Sequence, residues 1–197
     1  ADLPELIVHA QKIGIVTGLV TNGRKLKDGK YVATLERSGL DFAQVTLESS
    51  DPQIHDCMSG SKGSWQETVE GIRNLIPTTI YTTTNTTLTK LNAESFMETL
   101  EFLHSMGVKT FGCNGLIHSG RGSAFAKEYG LETEELKSLL LKTQEKAAQL
   151  SMTFLWYTPT RYCELDPVNL GLGLKSCTAS VMNMCIGPSG DVYPCQS

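Results

Sequence analysis

Two cysteines near the C-terminus, Cys177 and Cys195, have the residue type and spacing that metal and iron–sulfur sites use. They are separated by twelve residues, Gly190 and four further residues. The segment 187–190, Gly-Pro-Ser-Gly, is a turn signal with a short apolar run on each side. This pattern predicts a β-hairpin that carries a thiol near each end. Two thiolates brought together in this way form half of a metal or cluster site.

A third cysteine is a candidate ligand of such a site. Cys163 lies in an Arg-Tyr-Cys-Glu string and is a candidate third ligand, although a free buried thiol is an equal alternative. The hairpin itself could carry two incidental cysteines. The chain has six cysteines at irregular spacings, and it is too long for a small disulfide-stapled fold, so we expect a reducing, cytoplasmic compartment.

Composition indicates an ordinary globular protein. The 197 residues are 40% hydrophobic and carry a formal net charge of −4, which suits one domain or one domain with an appendage. No basic patch indicates a nucleic-acid partner, and the apolar runs are shorter than a membrane span. The first residues lack the features of a signal peptide. We therefore expect neither nucleic acid nor membrane as a partner.

The elements that must position the candidate site alternate between strand and helix. Five apolar or β-branched runs are separated by segments with helical periodicity, in units of roughly 30–40 residues. The runs lie at 15–20, 42–47, 78–84, 108–113 and 152–157. This predicts at least four parallel strands in sequential order joined by helices, with buried strands. The periodic pattern ends near Thr160, which predicts a parallel α/β unit over 1–160 and a separate unit over 161–197.

The C-terminal ends of the predicted strands carry polar or glycine-rich segments. Active sites of parallel α/β barrels lie at these ends, so Asn22, Thr46, Glu48 and the strand exit at Ile117 are candidate binding residues. Polar groups there could bind a ribose, an amino-acid head group or a substrate amide. Any single one of them could instead be an ordinary turn residue. Thr46 and Glu48 are two residues apart on one strand end, so both should face the barrel interior.

Three strings of this sequence resemble the radical S-adenosylmethionine (SAM) enzymes that carry a SPASM-type C-terminal extension. They are Thr-Asn-Gly at 21–23, the string 45–65 that is similar to the family's "vSlDs…HDxxRGxxGsf", and 115–122 that is similar to "liPtGRG". The resemblance covers essentially the whole chain. It implies that the fold is α/β, a partial parallel (β/α) barrel of the radical SAM type followed by a short C-terminal cysteine hairpin.

The resemblance also implies roles for individual residues. Thr46 stands where the family has a serine that contacts SAM, Glu48 stands where it has an aspartate, and Ile117 stands at a position that touches the adenine. Asn22 joins them on the wall of the SAM site. Cys177 and Cys195, in the string that resembles "pdGdvyPC", would hold part of an auxiliary 4Fe–4S cluster, with Cys163 as a candidate third ligand. No catalytic residue is assigned.

The sequence departs from the family pattern in three places. Ser59 replaces the arginine that in some members holds the methionine carboxylate, and His118 replaces a proline. The CxxxCxxC motif that binds the catalytic 4Fe–4S cluster is absent from the sequence. We therefore expect a fragment that lacks the first two βα units and most of the SPASM extension, carries no intact cluster, is inactive alone and self-associates.

The implied function is that of the parent enzyme. In the family, a reduced cluster cleaves SAM to a 5′-deoxyadenosyl radical that abstracts a hydrogen from a small-molecule or peptide substrate. The electron comes from a donor such as ferredoxin or flavodoxin. The likeness is greatest to members that mature peptides, cofactors or haem. The alternative from another class is a non-catalytic zinc or other metal-binding interaction module built on the cysteine hairpin.

Overall fold

The computed structural model describes residues 2–117 and 121–195, and within them strands and helices alternate along the chain. The strands are β1 Gly18–Thr21, β2 Phe42–Thr46, β3 Tyr81–Leu88, β4 Thr110–Gly115, β5 Thr153–Trp156, β6 Cys185–Ile186 and β7 Val192–Tyr193. The α-helices are α1 Leu3–Lys12, α2 Gly29–Arg37, α3 Pro52–Ser59, α4 Ser64–Leu75, α5 Phe96–Ser105, α6 Arg121–Tyr129 and α7 Thr133–Gln149. A 3₁₀ helix covers Arg24–Lys27.

The first five strands form one parallel sheet in the order β1-β2-β3-β4-β5. Each strand therefore lies beside its neighbour in sequence, as expected when short crossover helices connect parallel strands. Strands β6 and β7 form a separate antiparallel hairpin. The predicted fold class, a partial parallel (β/α) barrel with a C-terminal cysteine hairpin, is confirmed.

One face of the sheet is apolar and packs against the helices. Alternate residues of β2 and its exit, Ala43, Val45 and Leu47, are fully buried. They face a layer of equally buried side chains from α4 and α5, since side chains of a strand alternate between its two faces. The main α4 and α5 residues of this layer are Val69, Ile72, Leu75, Phe96, Leu100 and Leu103. Each such burial contributes about 1.5–3 kcal/mol.

The other face of the sheet is polar towards the C-terminal ends of β2 and β3, which is unusual for the interior of a small barrel. Strand register pairs Gln44 with Thr83 and Thr46 with Asn85 on this inner face, and beyond the paired residues the Thr87 N–H donates to the Glu48 carboxylate at 2.8 Å. The Nδ2 of Asn85 donates to Asn114 Oδ1 at 2.6 Å, whereas the Oδ1 of Asn85 is buried with no hydrogen-bond partner among the described residues. A face with this composition is suited to bind a polar ligand rather than to pack as a core.

Strand β1 differs from the prediction. The run 15–20 is expected from its sequence to be buried on both faces, but the strand starts at Gly18, and Val16 and Val20 are 79% and 69% exposed. Within the described residues, β1 is the edge strand of the sheet. A continuous apolar run is buried only where further layers cover both faces of its strand, and the exposure of Val20 shows that the inner face of β1 is not covered.

Two helices are not apparent from the sequence pattern. The segment around His55 and Asp56 is typical of a loop, but it is α3, whose N-terminus is capped by the Asp51 carboxylate and followed by Pro52. An aspartate N-cap followed by proline is a recognised helix start. The second such helix is α6, which begins at Arg121. No helix in the described ranges 2–117 and 121–195 is long and apolar enough to cross a membrane.

Candidate functional site

Glu48 is fixed at the end of β2 by bonds to three other segments of the chain. Its backbone N–H donates to Nδ1 of His55 at 3.1 Å, and its carbonyl oxygen accepts from Asn92 Nδ2 at 2.8 Å. Its carboxylate Oε2 accepts from the backbone N–H of Thr87 at 2.8 Å. Burial raises the pKa of Glu48 to about 7, and the Thr87 hydrogen bond only partly opposes that rise. The carboxyl group is therefore held rigidly and changes charge near neutral pH.

Asn92 links the ends of β2 and β3. Its Nδ2 donates to the carbonyl oxygens of Glu48 and Thr87 at 2.8 and 2.9 Å, and its Oδ1 accepts from the backbone N–H of Thr89 at 2.9 Å. The side chain is fully buried. The sequence pattern predicts that Asn92 caps the next helix, and this is wrong, because α5 begins only at Phe96.

His55 and Asp56 position the site from α3. The buried His55 accepts a hydrogen bond at Nδ1, which requires an unprotonated nitrogen, and burial lowers its pKa accordingly. The Asp56 carboxylate accepts from the backbone N–H groups of Trp65 and Gly63 and from the Ser64 hydroxyl. These bonds, the one from Trp65 foremost, lower the pKa of Asp56. Asp56 therefore caps α4. The string Ser-Trp-Gln-Glu at 64–67 is typical of a capping box with Ser64 as the N-cap, but the N-cap is Gly63 and no such box forms.

A cavity of about 240 Å³, which we call the Thr46 cavity, lies at the strand ends. It is lined by Asn22, Thr46 and Glu48, so three of the four predicted SAM-site residues are brought together. The other lining residues are Arg24, His55, Ser59, Ser61, Ser64 and Thr68. These residues carry hydroxyl, amide, carboxyl and guanidinium groups, which can donate to and accept from a ribose or an amino-acid head group.

A second cavity of about 270 Å³, the Leu116 cavity, adjoins the first at Glu48. Its lining is largely apolar. The lining residues are Glu48, Cys57, Met58, Thr87, Thr89, Leu91, Leu116, Phe125 and Tyr129. Ile117 lines neither cavity among the described residues and is 52% exposed, so its assigned contact with adenine stays a prediction. His118, also noted in the sequence, lies outside the described residues.

The three predicted metal ligands do not form a metal-binding group among the described residues. Cys163 and Cys177 are exposed, and Cys195 is half-buried two residues after β7. Cys163 lines a small cavity with Tyr162, Asp166 and other residues of its own turn and α7. Within residues 2–117 and 121–195, no three His, Cys, Asp or Glu side chains are grouped closely enough to hold a metal ion. The described residues therefore do not fit a 4Fe–4S cluster, and the ligand roles of Cys163, Cys177 and Cys195 stay predictions.

The sheet topology and the polar strand ends define the class of partial (β/α) barrels. Residues 1–103 match the family described as the Radical SAM superfamily, which is more than half of the 197 residues. The chain belongs to the radical SAM superfamily.

Solved structures support the same fold. SuiB of Streptococcus suis bound to SAM matches with a TM-score of 0.78 and 16% identity, over 99% of this chain and 46% of that chain. The anSMEcpe structure with bound AdoMet matches with a TM-score of 0.65 and 15% identity, over 92% and 50%. A domain of pyruvate-formate lyase-activating enzyme from Bacteroides vulgatus gives 0.62 and 14%, over 79% and 89%. The chain thus spans about half the length of SuiB and anSMEcpe.

Proposed function

We propose that this chain forms a SAM-binding part of a radical SAM enzyme. The observation that carries the proposal is that Asn22, Thr46 and Glu48, from two neighbouring strand ends, line one polar cavity in a chain of this superfamily. The hydroxyl of Thr46 and the carboxyl of Glu48 would bind the ribose hydroxyls, and the amide of Asn22 would bind the amino-acid portion. The apolar Leu116 cavity is suited to the adenine.

In the parent enzyme, SAM and a 4Fe–4S cluster together supply reductive cleavage and hydrogen abstraction. The residues of this chain orient SAM by hydrogen bonds and exclude water from its apolar part. Glu48 is suited to this role because three other segments fix it before any ligand binds. Fixing a polar group beforehand lowers the entropic cost of binding.

We further propose a peptide substrate for the parent enzyme. SuiB has been solved with the precursor peptide SuiA and anSMEcpe with the Kp18Cys peptide. The parent would then act in peptide maturation in the cytoplasm, with a ferredoxin- or flavodoxin-type electron donor. Residues 1–160 would form the partial barrel, and residues 161–197 would begin the SPASM extension. Cys177 and Cys195 would be ligands of an auxiliary cluster, and Cys163 would be the candidate third ligand.

Replacing Thr46 by valine is expected to weaken SAM binding about 3- to 10-fold, because one neutral hydrogen bond is lost while the shape is kept. The affinity is measured by isothermal titration calorimetry of the chain with SAM. Thr153→Val is the matched control, since Thr153 lies on β5 at the opposite end of the sheet and lines neither cavity. Equal affinities of the two variants, or no SAM binding by the unaltered chain, would contradict the proposal.

The chain alone is expected to hold no stoichiometric iron–sulfur cluster. The sequence lacks CxxxCxxC, and the described residues offer no three grouped ligands. A 4Fe–4S cluster needs about three or four protein ligands, and too few thiolates do not retain it. Iron and acid-labile sulfide are measured after anaerobic reconstitution of the chain and of its full-length parent. Four iron atoms with SAM cleavage by the chain alone would overturn this, and a colourless zinc-loaded parent would support the alternative of an interaction module.

Self-association of the isolated chain is a further expectation. Within the described residues β1 is an unpaired edge, and Ile15, Val16 and Val20 around it are more than half exposed. Unpaired strand edges pair readily with a second copy.

A further inference from the structure

Arg24 follows the Thr-Asn-Gly string directly and lines the Thr46 cavity. We propose that its guanidinium binds the carboxylate of SAM and so replaces the arginine that the family resemblance places at Ser59. The inference rests on the proposed function, because it names a residue of the same binding site. It makes Arg24 the residue that selects ligands carrying a carboxylate.

The guanidinium of Arg24 is held at the rim of the cavity by two bonds. Its Nε donates to Glu67 Oε2, and its Nη1 donates to the Ser61 hydroxyl at 3.1 Å. Ser61 itself lines the cavity, so the contact directs the cation toward it. The structure gives no bond from Nη2 to a described residue, and this group can donate to a ligand.

The ion pair with Glu67 does not fully neutralise the guanidinium of Arg24. Glu67 is shared, since its Oε1 accepts from Lys27 Nζ while its Oε2 accepts from Arg24. Hydrogen bonds from Lys27 and then Arg24 lower the pKa of Glu67, so that it stays ionised at neutral pH. Arg24 therefore shares its counter-ion with Lys27, and an incoming carboxylate can complete the pairing of the guanidinium.

The other described groups of the cavity cannot take this role. His55 is unprotonated, because burial lowers its pKa and its Nδ1 accepts a hydrogen bond. Glu48 is itself acidic. The remaining lining groups are an amide and hydroxyls. Among the described lining residues, Arg24 is thus the permanent cation, and guanidinium binds carboxylate in a charge-assisted, often bidentate geometry.

Ser59 has a different structural role in this chain. The Ser59 hydroxyl lies 2.7 Å from the Ser64 hydroxyl and donates to the Asp56 carbonyl oxygen at 3.2 Å. It thereby joins the network that caps α4, and it brings no charge to the cavity wall. The guanidinium comes instead from the exit of β1, which lines the same cavity.

The test compares two ligands that differ by one carboxylate, SAM and decarboxylated SAM. Calorimetry of Arg24→Gln is expected to show about 10- to 30-fold weaker SAM binding, the cost of a lost charge-assisted contact, and an unchanged affinity for decarboxylated SAM. Lys27→Gln is the matched comparison: it removes a cation that pairs with the same Glu67 but does not line the cavity. Its SAM affinity should fall by much less than that of Arg24→Gln, and its affinity for decarboxylated SAM should stay as in the unaltered chain. The double variant Arg24→Gln/Ser59→Arg should regain most of the SAM affinity.

The outcomes separate this inference from the proposed function. If the unaltered chain binds neither ligand, the proposed function fails and the inference with it. If the chain binds SAM but Arg24→Gln binds it equally well, or loses affinity for both ligands by the same factor, the inference alone is overturned. Circular dichroism melts of Arg24→Gln and Lys27→Gln show whether either variant is unfolded. If Arg24→Gln is unfolded, Arg24→Lys, which keeps the charge, takes its place. The expected loss of SAM affinity is then smaller, and the affinity for decarboxylated SAM should again be unchanged.

Discussion

Replacing Asn92 by alanine is expected to lower the free energy of unfolding by about 3 to 5 kcal/mol, because each buried polar group left unpaired costs roughly 1–3 kcal/mol. The Asn92 amide donates to two carbonyl oxygens, those of Glu48 and Thr87, and accepts from the Thr89 N–H. All these bonds are broken together in the variant. The side chain is fully buried, so water replaces the lost partners poorly. Urea denaturation followed by circular dichroism measures the change.

Asn74→Ala provides the matched control for Asn92→Ala. Asn74 also donates from Nδ2 to two carbonyl oxygens, those of Leu26 and Lys27, at 2.9 and 3.0 Å, but it is only half-buried on α4. Water can reach this site, so a loss of about 1 kcal/mol is expected. Asn92→Asp should fail to restore stability, because a carboxylate would face two carbonyl oxygens. If Asn92→Ala costs no more than Asn74→Ala, the link between the strand ends does not stabilise the fold as described.

The parallel sheet was predictable from local patterns, whereas the link at Asn92 was not. The periodicity of a strand or a helix depends on residues that are close together in the sequence, and each βα unit repeats the same pattern. Asn92 bonds to Glu48, 44 residues earlier, and nothing in the sequence marks such a pairing. An asparagine before an apolar segment favours a helix cap on propensity alone, and here a tertiary hydrogen-bond network overrides that preference.

In the candidate site too, some features follow from the local sequence and others depend on contacts between distant residues. Thr46 and Glu48 follow a strand at a spacing of two, so their shared cavity follows from the alternation of side chains. Arg24 and Glu67 are 43 residues apart, and their pairing depends on how α4 packs against the exit of β1. At that contact a Cβ on Gly71 would lie 2.4 Å from the carbonyl oxygen of Gly23, so the close approach requires glycine. A single sequence does not show which helical glycine permits such a contact.

Glu48→Gln is expected to make the stability of the chain less dependent on pH between about 4.5 and 7. Burial raises the pKa of folded Glu48 to about 7 from an ordinary value of 4.5, so over this range the folded state holds a proton that the unfolded state has released. The stability contributed by neutral Glu48 is therefore complete below pH 4.5 and is lost as the pH rises through 7. With 1.36 kcal/mol for each pKa unit, the loss is about 3 kcal/mol.

Glutamine cannot ionise, so the variant escapes this loss. The free energy of unfolding is measured by urea denaturation from pH 4 to 9 for both proteins, and the difference between them isolates Glu48 from other carboxyl groups. We expect nearly equal stabilities at pH 4.5 and a variant that is more stable than the unaltered chain at pH 8. A difference that does not change with pH would show that the pKa of Glu48 is the same in the folded and unfolded states, and would contradict the prediction.

Glu36→Gln supplies a control of opposite sign for this titration. The Glu36 carboxylate accepts hydrogen bonds from the Thr79 N–H and hydroxyl at 2.7 and 3.0 Å, and the bond from the N–H is the main reason that its pKa is lowered. The stability that the ionised Glu36 carboxylate contributes is present above its ordinary pKa and is lost as the pH falls through its lowered pKa. Glu36→Gln should therefore be less stable than the unaltered chain at pH 8 and approach it in acid. Both variants remove one carboxyl group. If their stability differences from the unaltered chain change with pH in opposite directions, the effect of Glu48→Gln comes from the burial of Glu48 at the strand ends and not from the loss of a charge as such.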